Sequence, residues 1–163
     1  RDGYTFRHHG PRGLGYYINE TDDDRAAVGG NFRHGAAGIH VKVAVAGDVP
    51  NRVWPAGVAL ARALCDELRG LPKMDGTHIL ELGSGTGLTA AVATCLGASV
   101  VATELPEALE NLSHNLQANA RDAGKSLAEA VPLAWGSRLP ESMVRRKFNL
   151  ILAADCTYLL AML

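Results

Sequence analysis

An α/β fold with a doubly wound, mainly parallel sheet is the class this sequence predicts, and three observations carry it. Short apolar runs of β character recur from residue 78 onward, helical stretches separate them, and a glycine-rich turn joins the first run to the helix after it. Strands that alternate with helices build βαβ units, and right-handed crossovers lay helices on both faces of the sheet. At 163 residues, 47% hydrophobic and 20% charged, the chain has the size and apolar content of one domain with a real core.

The elements follow in order. Eight of the 18 glycines fall within residues 1–40, where no apolar period persists; glycine at that density weakens helix and strand alike. With the solvated cluster Asp22-Asp23-Asp24, this predicts an irregular glycine-rich arm over residues 1–38 and a domain over 39–163. In the arm, Tyr4–Arg7 and Gly10–Tyr17 set aromatics beside arginines. That mixture fits a nucleic-acid or partner contact, and it fits more simply an arm pinned to the domain surface. Ile39, Val41, Val43 and Val45 alternate with other residues and predict a strand. Pro55 suits the first turn of a helix whose stripe is Leu60, Leu64 and Leu68, and Gly70-Leu71-Pro72 ends it. Four β runs come next, at 78–82, 98–103, 131–135 and 148–154, the third weakened by Pro132. Helices are expected over 88–96 and 106–123.

Composition narrows the function. Sixteen basic residues against 17 acidic ones leave a charge of −1, which excludes a polyanion binder working through bulk charge. No apolar run approaches the roughly 20 residues of a membrane span, so neither nucleic acid nor membrane is expected as a partner. Cys65, Cys95 and Cys156 lie far apart and suit a reducing setting; the expected location is cytoplasmic, with the nucleus as a second. The six histidines form no ligand-spaced set, and no metal is expected. Cys156 stands beside Asp155, whose charge raises a thiol pKa and argues against a nucleophile.

The chemistry gathers at Glu81-Leu82-Gly83-Ser84-Gly85-Thr86-Gly87-Leu88, where the first strand of the series should turn into a helix. Glycines there admit a ligand close to the backbone, and the helix offers unpaired N–H groups. A dinucleotide site would place its third glycine at 88, where Leu88 stands instead. Glu81 would repel a pyrophosphate but attract the cationic amino-acid end of S-adenosylmethionine. Glu104 closes the second strand 19 residues after Gly85, where such sheets place a carboxylate for ribose hydroxyls; a solvated strand-end glutamate is the alternative.

These residues resemble the seven-β-strand S-adenosylmethionine-dependent methyltransferases, a Rossmann-like class, and within them the protein-lysine group that includes the methyltransferase-like 21 proteins. Four segments carry the resemblance: Val53-Trp54-Pro55-Ala56; Glu81–Gly87; Thr103-Glu104-Leu105-Pro106 with Asn111, Asn115, Asn119 and Leu133–Gly136; and Ala153-Ala154-Asp155-Cys156-Thr157-Tyr158, a D-x-x-Y signature. The resemblance implies that Gly83, Ser84 and Gly85 pass beneath the methionine and ribose parts of the cofactor, with Glu81 and Gly87 among its binding residues. It implies that Glu104, beside Leu105, takes the ribose hydroxyls; the family usually has aspartate there. Trp135 would border the adenine, Trp54 would close over the site and Ala154 would line it. Asp155 and Tyr158 would shape the mouth where the target amine enters, the first orienting the amine and the second holding its cationic form. Each has a plainer alternative: core packing for Trp54 and Trp135, a helix cap for Asp155, ordinary packing for Tyr158.

The family fold orders its strands 3-2-1-4-5-7-6, and the sequence stops just past the fourth. The expectation is therefore a C-terminally truncated fragment lacking the last strands, with residues 149–154, apolar on both faces, left as an exposed edge and the isolated chain marginal or prone to aggregate. The function expected of the parent is methyl transfer from S-adenosylmethionine to a lysine of a protein substrate, by an enzyme that is a monomer at full length. The rivals are a methyltransferase of the same fold acting on a small molecule or another side chain, and a non-catalytic cofactor-binding or scaffolding remnant. A nicotinamide dehydrogenase is more distant because of Leu88.

Overall fold

The computed structural model describes residues 4–10, 13–18, 22–67, 74–123 and 128–156, with backbone alone for 4–18, 67, 122 and 123. Four parallel strands make the central sheet: β5 (His78–Leu82), β6 (Ser99–Glu104), β7 (Glu129–Pro132) and β8 (Leu150–Ala153). They are ordered β7-β6-β5-β8. The order reverses beside β5, so the crevice beyond the carboxyl end of β5 is where a ligand of such a sheet sits.

Alternation along β6 decides the layers. Val100 and Ala102 join the larger core with Ile79 and Leu152, while Val101 turns to the other face with Val131 and Leu133. The first face is covered by α3 (Leu88–Cys95) and α4 (Leu109–Ala123), with α2 (Pro55–Glu67) packed on α3. Met143 of the short helix α5 (Glu141–Val144) reaches the second face. Helices on both faces match the doubly wound expectation; α3 and β5 lie within a residue of their expected ranges, and α4 begins three residues late because Pro106–Ala108 form a 3₁₀ turn. β7 begins two residues early. Its register against β6 pairs Glu129 with Val101 and ends at Pro132 opposite Glu104. A proline has no N–H to extend a ladder, so Leu133 to Trp135 leave the strand as a loop. β8 lies at an edge of this sheet, with Ile151 61% exposed.

The expected irregular arm needs correction. Residues 4–10 and 13–18 form an antiparallel ribbon, β1 (Tyr4–Gly10) with β2 (Gly13–Ile18); the aromatics' preference for strands outweighs the glycines. The side chains proposed there for partner contact lie outside the described residues. α1 (Asp22–Val28) then leads into β3 (Asn31–His34), which pairs with β4 (Ile39–Lys42). Two anchors, rather than a periodic pattern, fold this stretch onto the domain: Ala27 and Phe32 are fully buried. Asp24 pairs with Arg62 of α2 at 2.7 Å, and that guanidinium lies 5.5 Å from the Phe32 ring.

Gly30 joins α1 to this ribbon and meets two demands at once. Its φ is +88°, its N–H closes the helix on Ala27, and its carbonyl accepts from Val43 N–H at 2.8 Å. A Cβ there would sit 2.4 Å from the Val43 carbonyl oxygen. Gly30→Ala is therefore expected to cost about 3 kcal/mol of stability, strain plus a displaced backbone pair, measured by urea unfolding. A loss below 1 kcal/mol would show that the ribbon yields there.

Candidate functional site

β5 ends in a loop held open by three left-handed glycines, Gly83, Gly85 and Gly87, with φ of +61°, +53° and +80°. Each has a reason to lack a side chain. A Cβ on Gly87 would strike Leu112 Cδ1 at 2.7 Å, so this glycine lets α4 close on the loop. A Cβ on Gly83 would lie 3.1 Å from Cys156 Sγ and 3.3 Å from the Trp135 ring; one on Gly85 would lie 3.1 Å from the Pro50 carbonyl oxygen. The loop is thus overlooked from two sides, by Trp135 and Cys156 at Gly83 and by the segment around Pro50 at Gly85.

Two carboxylates face this loop in different states. Glu104 is tied to it: one oxygen accepts from Gly85 N–H at 2.8 Å, the other from Leu105 N–H at 2.8 Å. Each oxygen keeps a lone pair for a further donor. Glu81, the penultimate residue of β5, is 3% exposed. Burial pushes its carboxyl up to about 7, the Ser84 and Thr89 hydroxyls and the Ala90 backbone pull the other way, and the charge of Glu104 adds to the rise. Glu81 Oε2 and Ser84 Oγ are both buried, and no hydrogen bond of ordinary geometry satisfies either atom, although the two side chains lie near enough to influence each other. Orphaned polar atoms are uncommon inside proteins and call for a reason. A ligand bringing a cationic or donor group to the loop supplies one.

The third part is an arch, residues 49–54, between β4 and α2. Val49–Asn51 form a single 3₁₀ turn. Asn51 Nδ2 donates to Asp48 Oδ2 at 2.9 Å, and the Trp54 indole N–H donates to the Val49 carbonyl at 3.2 Å. The Arg52 guanidinium stands 5.3 Å from the Trp54 ring centre. Pro50 and Arg52 turn their carbonyls toward Gly85, so the arch roofs the middle of the loop.

Comparison with known proteins gives the family. The sequence model of a family described as lysine methyltransferase matches residues 36–163. The chain belongs to the lysine methyltransferase family. Among curated relatives of this chain, Protein-lysine methyltransferase METTL21E of Bos taurus is 39% identical over 108 residues, 65% of this chain and 37% of its own length. Protein N-lysine methyltransferase METTL21A of Mus musculus is 42% identical over 107 residues, 66% and 47%. EEF1A lysine methyltransferase 3 of Mus musculus is 35% identical over 113 residues, 68% and 45%. The matches span less than half the length of these relatives.

Within this family member, the structure brings most of the expected residues to one place. Glu81, Gly83, Ser84, Gly85 and Gly87 form the loop, and Glu104 is bonded into it with the Leu105 N–H on its second oxygen. Trp135, 43% exposed, leans over Gly83. Trp54 stands one residue before α2, pinned in the arch. Ala154, just past β8, offers its carbonyl to Cys156 Sγ at 3.5 Å. Asp155 is exposed and adopts φ +58°, the single non-glycine described residue in the left-handed region. Aspartate tolerates that region better than most residues, and strain of this kind collects at functional sites. Tyr158, the other expected substrate residue, lies outside the described residues.

Two contributors escaped the sequence reading as site components. Cys156 is half-buried and donates to the Leu82 carbonyl at 3.2 Å while packing on Gly83. Its thiol pKa is raised, chiefly by burial, with Glu104, Glu81 and Asp155 adding to the rise; Asp155 is a lesser cause than the sequence suggested. Pro50 and Arg52 act through backbone carbonyls, which no side-chain motif announces. Among the described residues no cluster of three or more histidine, cysteine or acidic side chains is placed to hold a metal. No described helix is long and apolar enough to cross a membrane.

Proposed function

We propose that this chain forms the S-adenosylmethionine-binding part of a protein-lysine N-methyltransferase. The observation that carries the proposal is the buried pair Glu81 Oε2 and Ser84 Oγ, which no hydrogen bond of ordinary geometry satisfies, beneath a left-handed glycine loop, in a chain of the lysine methyltransferase family. The residues present fit that cofactor. Glu81 is placed for the ammonium of the methionine portion, Ser84 for its polar atoms, and the free lone pairs of Glu104 for ribose hydroxyls. Trp135 and the Trp54 arch offer apolar walls to either side.

When bound, S-adenosylmethionine supplies a methyl group on a sulfonium, whose departure leaves a neutral thioether. The rest is positioning by the chain. A target lysine nitrogen must arrive neutral and in line, form its bond to the methyl carbon as the carbon–sulfur bond breaks, and then release a proton to solvent. Asp155, strained and exposed two residues past β8, would orient that amine. The substrate is a protein, in keeping with the relatives' names. Three free cysteines suit a reducing compartment, and we place the protein in the cytoplasm.

The test incubates the intact protein with a lysate and methyl-labelled S-adenosylmethionine. Label is expected on lysine residues of a protein band, reduced about a hundredfold by Asp155→Ala, the scale of a misplaced reactant. Label confined to small molecules, or on another side chain, would overturn the substrate class.

A further inference from the structure

Asn111, Asn115 and Asn119 recur every fourth residue of α4, which lines them along one face of the helix. Opposite them runs the extended segment that continues β4. Asn119 Oδ1 accepts from Lys42 N–H at 3.1 Å, and its Nδ2 donates to the Lys42 carbonyl at 2.7 Å. Asn115 repeats the arrangement on Ala44, at 2.7 and 3.2 Å. Each side-chain amide gives the strand the pair of bonds that a neighbouring peptide would give it. The spacings agree: two strand residues advance about 6.6 Å and four helical residues about 6 Å, so helix and strand stay in step across both rungs.

The two ends of this ladder differ in what they reach. Asn119 holds β4 alone, apart from a bond to its own helix at Asn115. Asn115, 1% exposed, also donates to the Thr86 carbonyl of the glycine loop at 2.9 Å. Asn111 departs from the pattern: its Nδ2 donates to Asn51 Oδ1 in the arch at 2.7 Å and to the Ala44 carbonyl at 3.3 Å. One helix face thereby fixes the roof and the floor of the site to each other. The arch's own backbone bonds, Ala46 N–H to Asn51 O at 2.7 Å and Asn51 N–H to Asp48 O at 3.2 Å, close it into a stiff unit. A shift of Asn51 moves Pro50, whose carbonyl faces Gly85.

We infer that Asn111 and Asn115 are positioning residues of the cofactor site, holding the arch at a set height above the glycine loop. The inference rests on the cofactor reading above. It separates two asparagines that govern ligand affinity from a third, Asn119, that governs stability.

The experiment uses the intact protein and its Asn111→Ala, Asn111→Asp and Asn119→Ala variants. S-adenosylhomocysteine is titrated calorimetrically, and amide hydrogen exchange and thermal midpoints are recorded without ligand. Asn111→Ala is expected to weaken binding about five- to tenfold, the worth of one partly buried hydrogen bond, and to speed exchange at Ala46 and Asn51. Asn111→Asp, which keeps the shape but cannot donate, should match it. Asn119→Ala should lower the thermal midpoint while leaving affinity within twofold and arch exchange unchanged. Binding by the wild type that Asn111→Ala leaves within twofold, or that Asn119→Ala weakens equally, overturns this inference alone. A folded wild-type protein that leaves S-adenosylhomocysteine unbound overturns the cofactor reading and the inference with it.

Discussion

Glu81→Gln is expected to remove a pH dependence of stability worth about 3 kcal/mol. Burial raises the Glu81 carboxyl from 4.5 to about 7, so between those values the folded chain holds a proton that the unfolded chain has released. Stability from this group is fully present below pH 4.5 and is lost as pH rises through 7. The gap, at about 1.4 kcal/mol per pH unit, sets the size of the loss. Glutamine keeps the shape and cannot ionise. Urea unfolding at pH 4 and pH 8 should therefore show the wild type losing about 3 kcal/mol more than the variant. Equal losses in the two proteins would mean that Glu81 is solvated in the native state. The same carboxyl ties pH to the ligand. A cation brought to Oε2 favours the ionised form, so binding near neutrality should release a proton. Calorimetry in buffers of different ionisation enthalpy would count it.

Gly85→Val carries the other large effect. Its φ of +53° is hostile to a β-branched side chain, and its Cβ would meet the Pro50 carbonyl at 3.1 Å. Valine therefore lifts the arch as well as straining the loop, and it disturbs the N–H that holds Glu104. Affinity for S-adenosylhomocysteine is expected to fall a hundredfold or more, about 3 kcal/mol. Gly76→Ala is the matched control: φ is +79°, and open space surrounds the added carbon. It should cost stability without touching affinity. Near-normal binding by Gly85→Val would remove Gly85 from the site.

What the sequence made legible follows from how each part is encoded. β5 through α4 announce themselves because apolar period and glycine punctuation coincide there, and Glu81 and Glu104 could be read from their places at strand ends. The ribbon of β3 and β4 could not, since it folds on isolated anchors such as Phe32 rather than on a repeat. The arch stayed hidden for a different reason. It presents backbone carbonyls to Gly85, and a carbonyl has no letter in a sequence. The asparagines were visible as part of a family resemblance, but their bonds to the arch and the β4 segment reach 60 to 77 residues along the chain. Only the fold shows that they serve as a strand's missing neighbour. β7 slipped by two residues because pairing with β6, not its own apolar run, sets where it starts.

The make-up of α3 bears on how such a site can diverge. Leu88–Thr94 are all buried, and most are alanine, threonine or valine. Small side chains on every side make this helix a spacer squeezed between the sheet and two other helices, and its first turn is the end of the glycine loop. Almost any substitution there adds bulk that its neighbours cannot absorb. Descendants of this chain therefore have little freedom to retune the floor of the site. Variation that survives selection will accumulate in the roof, where the arch meets solvent and a changed residue can be accommodated without moving the helix behind the loop.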